Sequence, residues 1–163
     1  MNFENILELG AGTGLLTKKV IQNINFKNYY ANDIVDKSKL FIKEIIPNVQ
    51  FLCGNALKIK PAKKADLIIS NAMFQWFENL EKAIKILKLS LNKDGILAFS
   101  TFSPDNYNEI TELTGLSLKY KTKDEIELIL IKLGFKILYC ENFYEELQFK
   151  TPLELLAHMQ NTG

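Results

Sequence analysis

Short runs of apolar and β-branched residues alternate along the chain with longer segments in which apolar residues recur every three or four positions. The short runs are typical of buried strands, and the longer spacing is typical of helices with one face on a core. The predicted strands are Asn5–Leu9, Asn28–Asn32, Val49–Cys53, Ala65–Ser70, Ile96–Phe102 and Phe135–Glu141. This alternation predicts an α/β fold with a largely parallel sheet.

Helices are predicted between these strands, the first two over Leu15–Ile24 and Lys37–Ile46. The clearest helical stripe consists of Leu80, Ala83, Ile84, Leu87 and Leu91. Asn92–Gly95 follows it and is rich in residues that favour turns, so we expect a turn there before the next strand.

Two later helices are indicated by their ends. Thr122 and Glu125 have the spacing of a capping box, and Gly134 stands where a helix would end. A second capping box with proline at the first helical position lies in Thr151–Glu154 and predicts an amphipathic terminal helix. The least patterned stretch, Ser103–Lys121, is expected to cross the sheet at the edge where loops carry function.

The composition is that of an ordinary globular protein. The chain has 163 residues, of which 47% are apolar and 24% are charged, and this excludes disorder. We expect a single domain over residues 1–163. Twenty basic residues face 19 acidic ones, and a net charge of +1 gives no reason to expect a nucleic acid or a membrane as partner.

All 20 basic residues are lysines, so an anionic ligand must be held by ammonium groups, backbone N–H groups or hydroxyls. Cys53 and Cys140 lie far apart without a metal-binding spacing, which argues against a disulfide framework or a zinc site. The first residues show no signal peptide and no run is long enough for a membrane span, so the expected compartment is the cytoplasm.

The strongest chemical signal is ELGAGTG at Glu8–Gly14, directly after a predicted strand and before a helix. Alternate glycines let the backbone approach a ligand closely, and the helix presents free N–H groups. A dinucleotide fingerprint would need glycine in place of Leu15, and the Lys-Ser/Thr pair of a P-loop is absent. The spacing suits S-adenosylmethionine, with Glu8 neutralising its ammonium group, and the alternative is a turn without a ligand. The candidate cofactor residues are Glu8, Gly10, Ala11, Gly12, Thr13 and Gly14.

The following strand ends supply further cofactor candidates. Asp33 closes the second strand about 20 residues after the glycines, where a carboxylate can accept hydrogen bonds from both ribose hydroxyls. Its alternative role is to cap the next helix. Asn55 follows the third strand, where it could meet the adenine amino group or simply form a turn. The remaining candidates at these strand ends are Ile34, Ala56 and Asn71.

The acceptor pocket is expected after the fourth strand, in SNAMFQWF at Ser70–Phe77. Methyltransferases that act on amino groups of bases often have an Asn/Asp-Pro-Pro-aromatic run at this point, and both prolines are absent. Methylation of nucleic-acid amino groups is therefore disfavoured. The alternative for the apolar residues of this run, Met73, Phe74, Trp76 and Phe77, is a place in the core or in an interface.

Several longer runs carry a family resemblance: ISNAMFQWFENLEKAI, LAFSTFSPDNYNEI, LTGLSLKY and TPLELLAHMQNTG. Together they resemble the malonyl-[acyl-carrier-protein] O-methyltransferase family of biotin synthesis, over nearly the whole chain. The glycine motif is shared by many class I methyltransferases and identifies only the superfamily. The resemblance implies a Rossmann-like class I methyltransferase fold, with a mostly parallel twisted sheet and helices on both faces.

The resemblance also implies an activity: methyl transfer from S-adenosylmethionine to the free carboxylate of malonyl-acyl carrier protein. That carboxylate is already ionised at neutral pH, so no catalytic residue is required, and His158 is expected on the polar face of the last helix. Phe74 and Trp76 are the candidate substrate contacts after the fourth strand. Lys119, Lys121 or Tyr120 could hold the carboxylate, although a solvated loop is the alternative there.

Compared with the family, the chain looks shortened at both ends, lacking a helix before the first strand and a late strand of the sheet. Lys58–Lys64 and Lys119–Lys123 are candidate basic surfaces for an acidic carrier protein. Two other functions stay open: a methyltransferase acting on another small molecule, and a non-catalytic binding module.

Overall fold

The structure is a computed structural model that describes residues 2–115 and 119–162. The strands of its sheet are β1 (Asn2–Leu9), β2 (Asn25–Asp33), β3 (Gln50–Cys53), β4 (Ala65–Ser70) and β5 (Leu91–Phe99). The helices are α1 (Leu15–Asn23), α2 (Ser38–Ile45), α3 (Leu80–Leu89), α4 (Asn108–Thr114), α5 (Lys123–Lys132) and α6 (Pro152–Thr162). One 3₁₀ turn, Phe74–Trp76, follows β4.

The sheet has the strand order β3-β2-β1-β4-β5, and every neighbouring pair is parallel. From β1 the chain adds strands in one direction, and from β4 it adds them in the other. The boundary between β1 and β4 is therefore a topological switch point, where the loops that leave the two strands diverge and open a crevice. The predicted parallel α/β architecture is confirmed.

The side chains of the strands face two apolar layers, one on each side of the sheet. On one side Leu7 and Leu9 of β1 pack with Ile84 and Leu87 of α3. On the other side, the partners of β1 come from α1 and α2, which bury Val20 and Ile42. Helices thus cover both faces, as predicted. In the described part of the chain, none of the helices has the length and apolar character needed to cross a membrane.

The turn predicted at Asn92–Gly95 is wrong, because the structure includes these residues in β5. Leu91 pairs with Ala65 and Ile96 with Leu67, so four residues of β5 lie opposite a single residue of β4. Asp94 adopts a φ of 61°, which accommodates the extra residues. Asn92–Gly95 has the residue types of a turn, but the residues on either side of it both pair with β4.

The strand predicted at Phe135–Glu141 is also wrong. Apart from a bend at Leu138 the segment has no regular structure, and no described strand pairs with it. Its alternating apolar residues would suit one face of a sheet, but a strand forms only when its backbone groups have a partner. By contrast, the capping box of Thr122 and Glu125 at the start of α5 is confirmed.

Candidate functional site

The glycine loop, Gly10–Gly14, leaves β1 at the switch point. Its three glycines have φ values of 68°, 53° and 84°, in the left-handed region that other residues rarely adopt. Ala11 N–H donates to the carbonyl of Asn32 at 2.9 Å, which ties the loop to the end of β2. The backbone follows this path because glycine stands at each of the three left-handed positions.

The three glycines serve different purposes. A Cβ on Gly10 would lie 2.7 Å from Met73 Cγ, and a Cβ on Gly14 would lie 2.3 Å from Ile45 Cδ1. Both distances are too short, so these two glycines allow the loop to pack against its neighbours. A Cβ on Gly12 would meet nothing within 4 Å. The backbone at Gly12 is therefore the part of the loop that a ligand could approach.

Glu8 lies beneath the loop with 1% of its surface exposed. Its Oε2 accepts hydrogen bonds from Thr17 Oγ1 and from Tyr29 OH, both at 2.6 Å. Its Oε1 is buried without a partner among the described residues. Burial raises the pKa of the Glu8 carboxyl, and the two hydrogen bonds oppose this rise. An ammonium group against Oε1 would supply the missing donor and favour the charged carboxylate.

Burial also raises the pKa of the Tyr29 hydroxyl, and the negative charge of Glu8 adds to the effect. Tyr29 therefore acts as a hydrogen-bond donor in this pair. Neither Thr17 nor Tyr29 was predicted from the sequence. Thr17 lies on α1. Tyr29 lies on β2, two residues before Ala31, which is the partner of Glu8 across the strands. Only the packing of α1 on the sheet brings the three side chains together.

Asp33 is held by two separate backbone segments. Its Oδ2 accepts from Gly12 N–H at 2.7 Å, and its Oδ1 accepts from Val35 N–H at 2.9 Å. Each oxygen retains a second lone pair that a hydroxyl could use. The alternative role as a helix cap is wrong, since no side chain caps α2. The structure thus places the carboxylate directly beside the open backbone of Gly12.

The ends of β2 and β3 carry the other predicted cofactor residues. Ile34 is 73% exposed beside Asp33. Asn55 forms the plain turn that was its alternative, because its Oδ1 accepts from Leu57 N–H at 2.8 Å. Ala56 is half-buried against the core. Asn32, which was not predicted, donates through Nδ2 to the carbonyls of Leu52 in β3 and of Gly54 directly after it, and so fixes the spacing of these strand ends.

The opposite side of the crevice is formed by the residues that follow β4. Ser100 Oγ donates to Asn71 Oδ1 at 2.7 Å and accepts from Ala72 N–H at 3.1 Å. Gln75 Nε2 donates to the carbonyl of Ala72 at 2.5 Å. Ala72 has a φ of 50°, unusual for alanine, and these bonds to both of its peptide groups hold it there. Ser100 and Gln75 lie in runs that carry the family resemblance, but neither was predicted as a site residue.

The two aromatic residues predicted to contact the acceptor differ in exposure. Phe74 is buried and stacks on Phe99, with ring centroids 4.0 Å apart. Its side chain belongs to the core, which was its alternative, and we exclude it as a direct acceptor contact. Trp76 is 56% exposed at the same edge of the sheet. Of the pair, Trp76 alone presents its ring to a ligand.

Tyr120 reaches the carboxyl end of β5, where its hydroxyl accepts from Asn106 Nδ2 at 3.3 Å and its ring meets Phe102 edge-on. Lys119 is exposed beside it. The described contacts of these two residues include no member of the glycine loop. Two lysines that follow are engaged along α5, Lys121 with Glu125 and Lys123 with Glu127.

The other basic stretch lies partly at the wrong edge of the sheet. Lys63 and Lys64 directly precede β4, and Ala65 N–H donates to the carbonyl of Ser90 at the end of α3. The amino ends of parallel strands meet at the edge opposite the glycine loop. These two lysines therefore lie away from the crevice.

Comparison with known proteins places this geometry in a family. The model of the family described as "Methyltransferase domain" matches residues 2–163. The malonyl-[acyl-carrier protein] O-methyltransferase of Haemophilus influenzae is 33% identical over 162 residues, which are 99% of this chain and 62% of that protein. The protein of the same name from Calditerrivibrio nitroreducens is 37% identical over 161 residues, 99% of this chain and 63% of that protein. The chain thus spans less than two thirds of the length of these relatives.

Solved structures share the fold. An S-adenosylmethionine-dependent methyltransferase from Mesorhizobium loti matches with a TM-score of 0.69 and 18% identity, over 98% of this chain and 83% of that one. The plantazolicin methyltransferase BpumL, in complex with SAH, matches with a TM-score of 0.66 and 16% identity, over 81% of this chain and 56% of that one. The Rossmann-like methyltransferase fold is thereby confirmed.

Proposed function

Since the chain belongs to the methyltransferase domain family, we propose that it transfers a methyl group from S-adenosylmethionine to the free carboxylate of malonyl-acyl carrier protein. The observation that carries the proposal is the open backbone of Gly12 beside the fixed carboxylate of Asp33 at the switch point. The acceptor is supported by relatives named malonyl-[acyl-carrier protein] O-methyltransferase, which align with 99% of the chain.

The residues of the crevice fit this cofactor. The second lone pairs of the Asp33 carboxylate would accept from the ribose hydroxyls, and Gly12 leaves room for the adenosyl group. The unpartnered Oε1 of Glu8 offers an acceptor for an ammonium group. Exposed Ile34 provides an apolar surface for adenine. The rest of the proposed cofactor site consists of Gly10, Ala11, Thr13, Gly14, Ala56 and Asn71, whereas Asn55 is left out because its oxygen is engaged in a turn.

S-adenosylmethionine, when bound, supplies an electrophilic methyl group on a sulfonium sulfur. The acceptor carboxylate is ionised at neutral pH and is itself the nucleophile, so the chain needs no general base. Its contribution is to orient the carboxylate and to exclude water from it. We assign Trp76 as the apolar wall of the acceptor site. Lys119, with Tyr120 beside it, is assigned as the positive charge that pairs with the acceptor carboxylate.

The proposed partner is an acidic carrier protein, which needs a basic surface near the carboxyl edge of the sheet. We place that surface at Lys119–Lys123, because Tyr120 within it contacts Phe102 at this edge. Lys63 and Lys64, at the opposite edge, are excluded from it. Cys53 and Cys140 are free thiols, which is compatible with the cytoplasm as the proposed compartment.

The test is transfer of labelled methyl from S-adenosylmethionine to malonyl-carrier protein. The expected product is a methyl ester whose label is released by base, and it should be absent with acetyl-carrier protein, which has no free carboxylate. The variant Asp33→Ala serves as the cofactor-site control and should slow the transfer. A panel of free carboxylic acids should give less product. If a member of that panel is methylated and malonyl-carrier protein is not, the acceptor assignment is wrong.

A further inference from the structure

Two buried side-chain atoms in the described part of the chain lack a hydrogen-bond partner, Glu8 Oε1 and Gln75 Oε1. Both are oxygens, and both belong to segments that border the switch point. Buried acceptors without a donor are rare in folded proteins and call for an explanation. Glu8 already has a role in the proposed cofactor site, whereas Gln75 has none.

The orientation of the Gln75 amide is set by its neighbour. Its Nε2 donates to the carbonyl of Ala72 at 2.5 Å, and only the nitrogen end of an amide can make this bond. The oxygen end is therefore Oε1, which can only accept a hydrogen bond from a donor group. Ala72 is held on its other side by Ser100, so the side chain of Gln75 rests on a fixed support.

Gln75 belongs to the segment that follows β4 and borders the switch point. It lies in the 3₁₀ turn after β4, between buried Phe74 and exposed Trp76. Met73, two residues earlier, contacts Gly10, so this turn and the glycine loop pack against each other. A ligand over the open backbone of Gly12 would therefore lie near the turn that contains Gln75.

We propose that Gln75 is a ligand-binding residue whose Oε1 accepts a hydrogen bond from an N–H group of a bound reactant. This inference rests on the proposed function. The malonyl carboxylate is not the partner, because it carries no proton to donate at neutral pH. The N–H group belongs either to the ammonium of the cofactor or to an amide of the arm that carries the acceptor.

The experiment compares wild-type chain with Gln75→Leu, which removes the acceptor, and with Gln75→Met as a second loss variant of similar length. Gln50→Leu, the same change at an exposed glutamine at the start of β3, is the matched control. Calorimetry measures the affinity for S-adenosylhomocysteine and for 5′-methylthioadenosine, which lacks the amino-acid portion. It then measures the affinity of the S-adenosylhomocysteine-bound chain for malonyl-carrier protein.

If the cofactor is the source of the donor, Gln75→Leu lowers the affinity for S-adenosylhomocysteine about five- to tenfold and leaves the affinity for 5′-methylthioadenosine unchanged. If the acceptor is the source of the donor, the affinity for S-adenosylhomocysteine is unchanged and the affinity for malonyl-carrier protein falls by a similar factor. Equal losses for the two adenosyl ligands would reveal damage to the loop and overturn the inference, as would no loss in any arm. A wild-type chain that binds no S-adenosylhomocysteine overturns the proposed function as well.

Discussion

Residues 2–99 are organised differently from residues 100–115 and 119–162. In the first region, polar side chains at the strand ends are buried and hydrogen-bonded within the sheet; they include Glu8, Asn32, Asp33 and Ser70. Both regions expose some large apolar side chains, but among the described residues after 99 only Ile126 joins the buried apolar core. Leu113, Leu138, Tyr139, Phe143, Tyr144 and Leu153 of this second region face solvent. The difference shows that the proposed cofactor site is built by the sheet itself. The proposed acceptor contacts Lys119 and Tyr120 belong to the less densely packed region.

This contrast predicts that the two regions respond differently to the same substitution. Leu87→Ala removes a buried side chain of α3 and should lower the free energy of unfolding by about 2–5 kcal/mol. Leu138→Ala, at a position that is 69% exposed, should change it by less than about 0.5 kcal/mol. Urea unfolding of both variants provides the measurement. Equal losses would show that the second region packs as tightly as the first.

Within the first region, the glycine loop separates packing from ligand binding. Gly14→Val and Gly12→Val both place valine at a positive φ, at a shared cost of about 1–2 kcal/mol. Gly14→Val also drives a Cβ into Ile45 and should lose roughly 1–3 kcal/mol more in unfolding experiments.

Gly12→Val should remain the more stable of the two and lose detectable binding of S-adenosylhomocysteine, because its side chain fills the open space. Calorimetry on the folded variant makes this comparison. Retained affinity in Gly12→Val would place the ligand elsewhere.

Asp33 should contribute to ligand binding through the bonds that its fixed carboxylate makes, and not through its effect on the net charge of the chain. Asp33→Ala is expected to weaken S-adenosylhomocysteine by about 1–3 kcal/mol, through the loss of charge-assisted bonds to ribose and of support for Gly12. Asp36→Ala removes the same charge from an exposed position in the same turn and should have no comparable effect. If both variants lose the same affinity for S-adenosylhomocysteine, Asp33 acts only through its negative charge and not through direct bonds to the ligand.

The smallest effect concerns the pH dependence of stability. Burial raises the pKa of Glu8 in the folded state above its ordinary value of 4.5, so the folded chain binds a proton more readily than the unfolded one. The wild-type chain should therefore gain stability relative to Glu8→Gln as the pH falls from neutral towards 4.5, and no further below it. Urea midpoints of both proteins across this range measure the difference. If the urea midpoints of the two proteins change in parallel with pH, the raised pKa of Glu8 in the folded state is contradicted.

The sequence predicted the parts of the fold that depend on local patterns. β4 was placed at its observed bounds, and the start of α5 was recognised from its capping box. Phe135–Glu141 has the alternation of a strand without the neighbouring strand that would pair with it. Asn92–Gly95 has the residues of a turn, yet pairing on either side keeps it within β5. In both segments, tertiary pairing decides what the local pattern leaves open.

The candidate site divides in the same way. The glycine motif and Asp33 were found from spacing, because consecutive strand ends of a parallel sheet meet at one edge. Phe74 was expected to contact the acceptor, but stacking on Phe99 places it in the core. Gln75 lies in the SNAMFQWF run but was not predicted as a site residue, because its one unpaired oxygen arises only from three-dimensional packing.

A crystal structure of this chain with S-adenosylhomocysteine is the most direct test of the central claim. The adenosyl group should lie over the backbone of Gly12, with both ribose hydroxyls within hydrogen-bond distance of the Asp33 carboxylate. Clear density for the ligand at any other part of the molecule, with Gly12 and Asp33 uncontacted, would contradict the account.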